Sequence, residues 1–233
     1  MSETLTRRTL MTTSLVASSS LLLGCNSSRL VDGVSTGSIT SKARRPSIGV
    51  DANLRSASSM YSEKVDGEYT LAAVPYQEMD VRFRRQRVVN RTGMPTGTLL
   101  VDPHNHHAYY ILSRDEAVRY GVGVGKAGFE WTGDAVIGRK AKWPRWTPPA
   151  EMIARSPQLE KYRNGMAGGI DNPLGARALY LYANGRDTLY RLHGTPEWQS
   201  IGKSMSSGCI RFLNQDVIDL FKRVPVGTRV RVI

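Results

Sequence analysis

The 233-residue chain has only two cysteines, Cys25 and Cys209. Their surroundings differ so much that a disulfide between them is a poor reading, and each needs its own account. Apolar residues reach 40%, below the usual globular share, so a polar, unstructured stretch is expected somewhere. No run of about 20 mostly apolar residues is present to form a transmembrane helix. There is no internal repeat, which excludes solenoid and propeller architectures. Acidic residues are also scarce: 20 Asp and Glu face 32 Lys and Arg, for a net charge of +12. That excess suits an anionic partner such as nucleic acid, lipid headgroups or an acidic polymer. The lysines and arginines are scattered without a nucleic-acid reader motif, so nucleic acid is not an expected partner. His104, His106 and His107 lack Cys or carboxylate company in sequence and read as surface turn residues, with no metal site. The length allows one packed domain with extensions, or two small domains.

Residues 1–25 read as an export signal. Arg7 and Arg8 precede an apolar, small-residue stretch that ends Leu22-Leu23-Gly24-Cys25. Leu-Leu-Gly-Cys resembles the bacterial lipobox, which implies lipidation of Cys25 as the mature N-terminus. Thr6-Arg7-Arg8-Thr9-Leu10 resembles a twin-arginine motif, though ordinary signals also carry paired arginines. No Asp follows Cys25, so the common inner-membrane retention signal is missing. The expected location is the periplasm, lipid-anchored to the envelope, with the outer membrane slightly favoured. Residues 26–70 are rich in Ser, Gly, Arg and Asp and read as a disordered tether. Such a segment cannot bury enough apolar area to offset the entropy of ordering it. Residues 71–96 read as an N-terminal extension of a domain that occupies 97–233.

Within that domain, runs at 97–101, 107–112, 117–124, 132–139 and 228–233 read as strands. Residues 148–155 read as a short helix with prolines at its start. The runs at 178–183 and 188–193 flank Asn184-Gly185, the strongest short-range hairpin signal. Residues 214–223 predict a helix capped by Asn214, with Val217, Ile218, Leu220 and Phe221 as its apolar face. The expected fold is mainly β, a mixed sandwich or barrel-like sheet with short helices.

The segment that carries chemistry runs from His193-Gly194-Thr195 to Ser206-Ser207-Gly208-Cys209-Ile210-Arg211. His193 ends a hairpin strand, and Cys209 lies sixteen residues later in a glycine-flanked turn. A neighbouring imidazole can take or hold a thiol's proton, and the thiolate is the nucleophilic form. Gly208 removes a side chain that would crowd an incoming carbonyl. The N–H groups around Gly208 and Cys209 are candidates for an oxyanion hole. The bland alternatives stay open on these residues alone: a buried small thiol and a structural histidine.

The pattern HGT…IG…SSGCIR resembles the YkuD-type L,D-transpeptidase catalytic domain. The runs VGVGKAGFEWTG, IGRKAKWPRWTPPAEM and GGIDNPLGARALYL are similar to its Gram-negative envelope branch. The resemblance covers roughly residues 97–233. It implies Cys209 as nucleophile, His193 as proton donor and acceptor, and Gly194 as the position whose carbonyl orients the histidine. It implies no cofactor, and peptidoglycan stem peptides as substrate. It also implies a thioester intermediate on Cys209 and 3→3 cross-links. Attachment of an envelope lipoprotein or a D-amino acid, hydrolysis as a carboxypeptidase, and an inactive wall-binding module are the alternatives. Ser207 stands where many members carry a second histidine, which puts that imidazole's role in doubt. Arg211 has two readings, a substrate carboxylate partner or an ion pair with Asp216. Trp143 and Trp146 read either as anchors of a long loop or as a substrate-covering lid.

Overall fold

Strands make up most of the regular backbone in residues 57–126 and 131–233, the part that the computed structural model describes. The expected signal, tether to residue 56 and lipidation site Cys25 lie outside the described residues. In chain order the strands are β1 (Lys64–Asp66), β2 (Tyr69–Leu71), β3 (Gln86–Val89), β4 (Leu99–Asp102), β5 (His107–Ile111), β6 (Glu116–Gly121) and β7 (Val124–Gly125). There follow β8 (Gly133–Lys142), helix α1 (Ala150–Arg155), β9 (Arg177–Ala183), β10 (Arg186–Thr195), β11 (Ser204–Ser206), β12 (Ile210–Leu213), helix α2 (Asn214–Arg223) and β13 (Arg229–Val232).

Nine strands form one sheet in the order β12-β10-β9-β8-β13-β4-β5-β6-β3. β10 runs parallel to β12 and β13 parallel to β4; the other neighbours are antiparallel. An antiparallel bridge joins Arg211 of β12 to Gly123, just past β6, through hydrogen bonds of 2.9 and 2.8 Å. The sheet therefore folds back so that its first strand meets its far end. Inside the fold lie Leu99, Val101, Tyr120, Ile137, Leu179, Leu181, Leu192 and Phe212, with Val217 and Leu220 of α2. Parallel pairing of β7 with β11 carries the segment before Cys209 along the same seam.

The hairpin at Asn184-Gly185 forms as expected, with both residues in the left-handed region (φ 50° and 73°) that the tight turn requires. Helix α2 has the expected bounds, but Asn214 is not its cap. Leu213 occupies the cap position without a side-chain bond, and Asn214 Oδ1 instead accepts the Ala176 amide at 2.8 Å. At the other end, Lys140 Nζ donates to the carbonyls of Phe221 and Val224 at 2.7 and 2.6 Å, where a cation complements the helix dipole. The expected strand at 117–124 stops at Gly121. A Cβ at Gly121 would strike the backbone of Phe83, and one at Gly123 the carbonyl of Ser200. These glycines mark close backbone approaches.

The tether boundary at residue 70 needs correction. Residues 57–60 are helical, and Ala57 and Tyr61 are buried in a cluster with Met79, Phe83, Ile201 and Leu213. The Tyr61 hydroxyl donates to Asp216 Oδ2 at 3.2 Å and accepts the Arg85 amide at 2.6 Å. Asp66 holds Arg177 through two bonds of 2.7 Å. Segment 57–70 is polar in composition, yet Tyr61 and Asp66 find partners more than a hundred residues away. His107 likewise is buried rather than a surface turn residue: Nε2 donates to the Arg82 carbonyl at 3.0 Å and the ring packs on Phe83.

Asp216 lies fully buried between Tyr61 and Arg85, whose Nη1 is 3.6 Å from Oδ1. Burial pushes its carboxyl up from 3.8 to about 7, with the Arg85 guanidinium pulling the other way. The folded chain thus holds a proton that the unfolded chain releases above pH 3.8. The linked stability is present at low pH and is lost as pH rises through 7. An Asp216→Asn variant lacks this dependence. Its unfolding free energy relative to the parent is expected to rise by about 1 kcal/mol per pH unit between pH 4.5 and 6.5. Urea titrations at three pH values across that window measure it; a pH-independent difference contradicts it.

Candidate active site

β10 and β12 run side by side with Leu192 opposite Ile210 and His193 opposite Arg211. Cys209 directly precedes β12, as Arg191 directly precedes Leu192 on β10. Side chains alternate along a strand, so Arg191, His193, Cys209 and Arg211 share one face, while Leu192, Ile210 and Phe212 point into the core. His193 thus lies on the strand beside the segment that carries Cys209.

His193 is buried, and its Nδ1 lies 2.6 Å from the Gly194 carbonyl. A carbonyl only accepts, so Nδ1 carries the proton and Nε2 has the lone pair. Burial drives the imidazole down from 6.5 to about 4. The Gly194 carbonyl opposes this, Arg211 and Arg191 add to it, and the Pro173 carbonyl opposes it again. The ring is neutral at rest. Gly194 can carry no side chain here: its Cβ would meet Asn214 Oδ1, as would a Cβ at Gly175 (φ 57°). Asn214 Oδ1 is thus wedged between two glycines while it accepts the Ala176 amide. The wedge fixes the backbone whose carbonyl holds His193.

Cys209 is the free cysteine among the described residues and is partly exposed. Its Sγ lies 3.9 Å from the Leu189 carbonyl. Burial of the sulfur raises the thiol above its ordinary value. The Arg191 amide and the Arg191 and Arg211 guanidiniums pull it down, and Asp187 pushes it up. The preceding turn is tied by Ser206, whose Oγ donates to the Cys209 carbonyl at 2.6 Å and accepts the Gly208 amide at 3.1 Å. The Gly208 amide is therefore committed, contrary to its expected place in an oxyanion hole. What Gly208 supplies is conformation, at φ 119°. Ser207 is exposed beside it.

Arg211 does not pair with Asp216. It meets Glu197 at 2.6 Å, on a carboxylate whose side chain is 65% exposed. Trp143 and Trp146 are placed as loop anchors. Trp143 Nε1 donates to Asp66 Oδ2 at 2.9 Å, and its ring packs on Tyr69 at 4.3 Å. Trp146 pairs its backbone with Met166, and its ring lies 6.1 Å from Tyr162. Neither is among the contacts of His193 or Cys209. The loop they anchor reaches the site through Pro173, next to the buried Asn172, whose Nδ2 donates to the Ala167 carbonyl at 2.8 Å. His106 Nε2 lies 3.1 Å from Ser204 Oγ, and no group of three metal-binding side chains occurs among the described residues.

Sequence reasoning missed Arg191, Asp187, Asn214 and Ser206. Period-two spacing from His193 would have placed Arg191 on its face. The bulge between Asp187 and Arg191, and the partner of Asn214, have no local signal.

Residues 96–232 match the family model described as YkuD, L,D-transpeptidase catalytic domain. Two curated relatives from Escherichia coli K12 are similar. "Probable L,D-transpeptidase YbiS" is 38% identical over 130 residues, covering 54% of this chain and 40% of its own. "Probable L,D-transpeptidase ErfK/SrfK" is 38% identical over 131 residues, with the same two coverages of 54% and 40%. The chain thus spans about two fifths of the length of these relatives. A Brucella melitensis crystal structure, described as a probable carnitine operon oxidoreductase, is 45% identical, covering 68% of this chain and 99% of that one at a TM-score of 0.47.

Asn214→Ala leaves the buried Ala176 amide without its acceptor. The expected loss is about 1–3 kcal/mol in unfolding free energy. Asn214→Asp keeps an acceptor at the same atom and is expected to recover part of it. Equal losses for both variants in chemical denaturation contradict the wedge.

Proposed function

The chain belongs to the YkuD L,D-transpeptidase catalytic-domain family, and on that premise we propose that it transfers peptidoglycan stem peptides through a thioester on Cys209. The observation that carries this reading is the Nδ1–H bond from His193 to Gly194, on the strand beside Cys209. It fixes the tautomer in which the second ring nitrogen can take the thiol proton.

The Cys209 sulfur attacks the carbonyl that joins the third stem residue to its terminal D-alanine. As the thiol proton passes to His193, the carbonyl oxygen gains charge. The Cys209 amide is the candidate donor to that oxygen, since the Gly208 amide is taken by Ser206. The C–N bond breaks, His193 returns the proton to the departing amine, and the acyl group stays on sulfur. An amine of a second stem then attacks the thioester, closing a 3→3 link and restoring the thiol. A lipoprotein lysine, a free D-amino acid or water are competing acceptors. Arg211 is placed to exchange Glu197 for a stem carboxylate, since its present partner is mostly solvated.

The address belongs to the same reading. Lipidation at Cys25 would hold the domain at the envelope, facing the periplasm, with the outer membrane slightly favoured, and the tether gives it reach to the wall. The positive charge fits a wall rich in carboxylates.

With purified protein and tetrapeptide-stem wall fragments, chromatography with mass detection is expected to show D-alanine release and cross-linked dimers. Cys209→Ala abolishes both, and His193→Ala slows turnover by about 10²–10⁴-fold. Shortened stems without dimers would assign a hydrolase. Unchanged turnover by Cys209→Ala would end the thioester reading.

A further inference from the structure

Beside Cys209 lies a second feature, one row of side chains across three strands. Arg139 of β8 stands opposite Tyr180 of β9, and Tyr180 opposite Arg191 of β10. Arg191 and Cys209 are the residues just before the register partners Leu192 and Ile210. Both guanidiniums stack on the Tyr180 ring, Arg139 at 4.5 Å and Arg191 at 4.4 Å from its centroid. Arg191 is further fixed by two bonds to Asp187, at 2.6 and 2.8 Å, and by one to the Tyr190 carbonyl at 3.0 Å. Few side chains on this surface are held on so many sides. The neighbouring row is Ala141, Ala178, His193 and Arg211.

We propose that Arg191 is a positioning residue for the Cys209 sulfur: a guanidinium clamped by Tyr180 and Asp187 that favours the thiolate over the thiol. Arg191 and Cys209 immediately precede the register partners Leu192 and Ile210, and the Cys209 sulfur lies 3.9 Å from the carbonyl of Leu189, two residues before Arg191. A nearby cation stabilises the charged form of a thiol. Asp187 acts against it, and the Arg139 guanidinium offsets that carboxylate in turn. The row therefore presents a net single positive charge. The other charged groups at the sulfur are His193, neutral at rest, and Arg211, half-neutralised by Glu197. The direction of each influence agrees: both arginines lower the thiol and Asp187 raises it.

The bulge explains how one short segment serves both states. Asp187 Oδ1 accepts the Leu189 amide at 2.8 Å and holds Leu189 at φ 65°, a left-handed conformation that is unusual for a branched apolar residue. That turn aims the Leu189 carbonyl at the thiol and the Arg191 amide at the sulfur's charged form. The same aspartate thus sets the bulge and clamps the guanidinium.

This inference rests on Cys209 as the nucleophile, and its test does not use turnover. In the full chain, the rate of iodoacetamide alkylation is read at the Cys209 peptide by mass spectrometry across pH. Arg191→Gln is expected to move the midpoint of the rate profile up by about one pH unit. Arg191→Lys is expected to stay nearer the parent. Asp187→Asn removes the opposing charge and is expected to move the midpoint down. A purely structural role would shift the first and last variants in the same direction. Shifts of opposite sign support the proposal; an unmoved profile for either, or shifts of the same sign, overturns it. If Arg191→Gln does not fold, the Asp187→Asn profile decides alone. Loss of the thioester reading would show separately, as unchanged stem processing by Cys209→Ala.

Discussion

The parallel register of β10 against β12 is the constraint on which the site depends. The chain leaves β10 at Thr195 and returns beside it at Ile210, with Leu192 level with Ile210 and His193 level with Arg211. A slip of one residue would turn Cys209 toward the core and Ile210 outward, because strand side chains alternate. The register is held from both sides. Leu192, Ile210 and Phe212 are buried inward, and the Gly123–Arg211 bridge pins β12 from its outer edge. Core packing and site geometry are therefore one requirement.

A second requirement is that His193 be buried without being charged. An imidazolium in that setting would lose its hydration with only two carbonyls to replace it, beside two guanidiniums. The resting pair is then a neutral imidazole and a neutral thiol. The proposed proton transfer between them would separate charge beside a buried imidazole. Fixed groups must stabilise that charge: the Gly194 carbonyl for the ring, and the Arg191 amide and the arginines for the sulfur. Their value lies in being held beforehand, since no reorganisation is needed when charge develops. Asn214 between Gly175 and Gly194, and Ser206 across the Gly208 turn, do the holding.

Local signals in the sequence were legible, and distant partnerships were not. Asn184-Gly185 dictates its hairpin because both residues tolerate a left-handed backbone, and α2 announces itself through Val217, Ile218 and Leu220. The motif around His193 and Cys209 was carried by its resemblance to a family pattern, since the residues alone left a buried thiol and a structural histidine open. Asn214 shows the limit. It has the composition of a cap and stands at the first turn, yet the Ala176 amide, 38 residues upstream, takes its oxygen. Segment 57–70 shows it again: polar composition argued for a tether, but Tyr61 and Asp66 are held by Asp216 and Arg177. A single buried tyrosine and a bidentate ion pair order a segment that average hydropathy assigns to solvent.

The acids around the site deserve the same physical treatment as the bases. Arg191 and Arg211 flank the cysteine, and each is matched by a carboxylate of different standing. Asp187 sits in the bulge, bidentate, with 32% of its side chain exposed; Glu197 makes one contact and is 65% exposed. Exchanging a solvated single contact costs little, because the released carboxylate recovers its hydration. Breaking the bidentate pair would also free Leu189 from its left-handed turn and move the carbonyl that faces the sulfur. The two arginines are thereby divided in kind: the one on β12 holds a single, mostly solvated partner, and the one on β10 is clamped by a bidentate carboxylate that also shapes its strand.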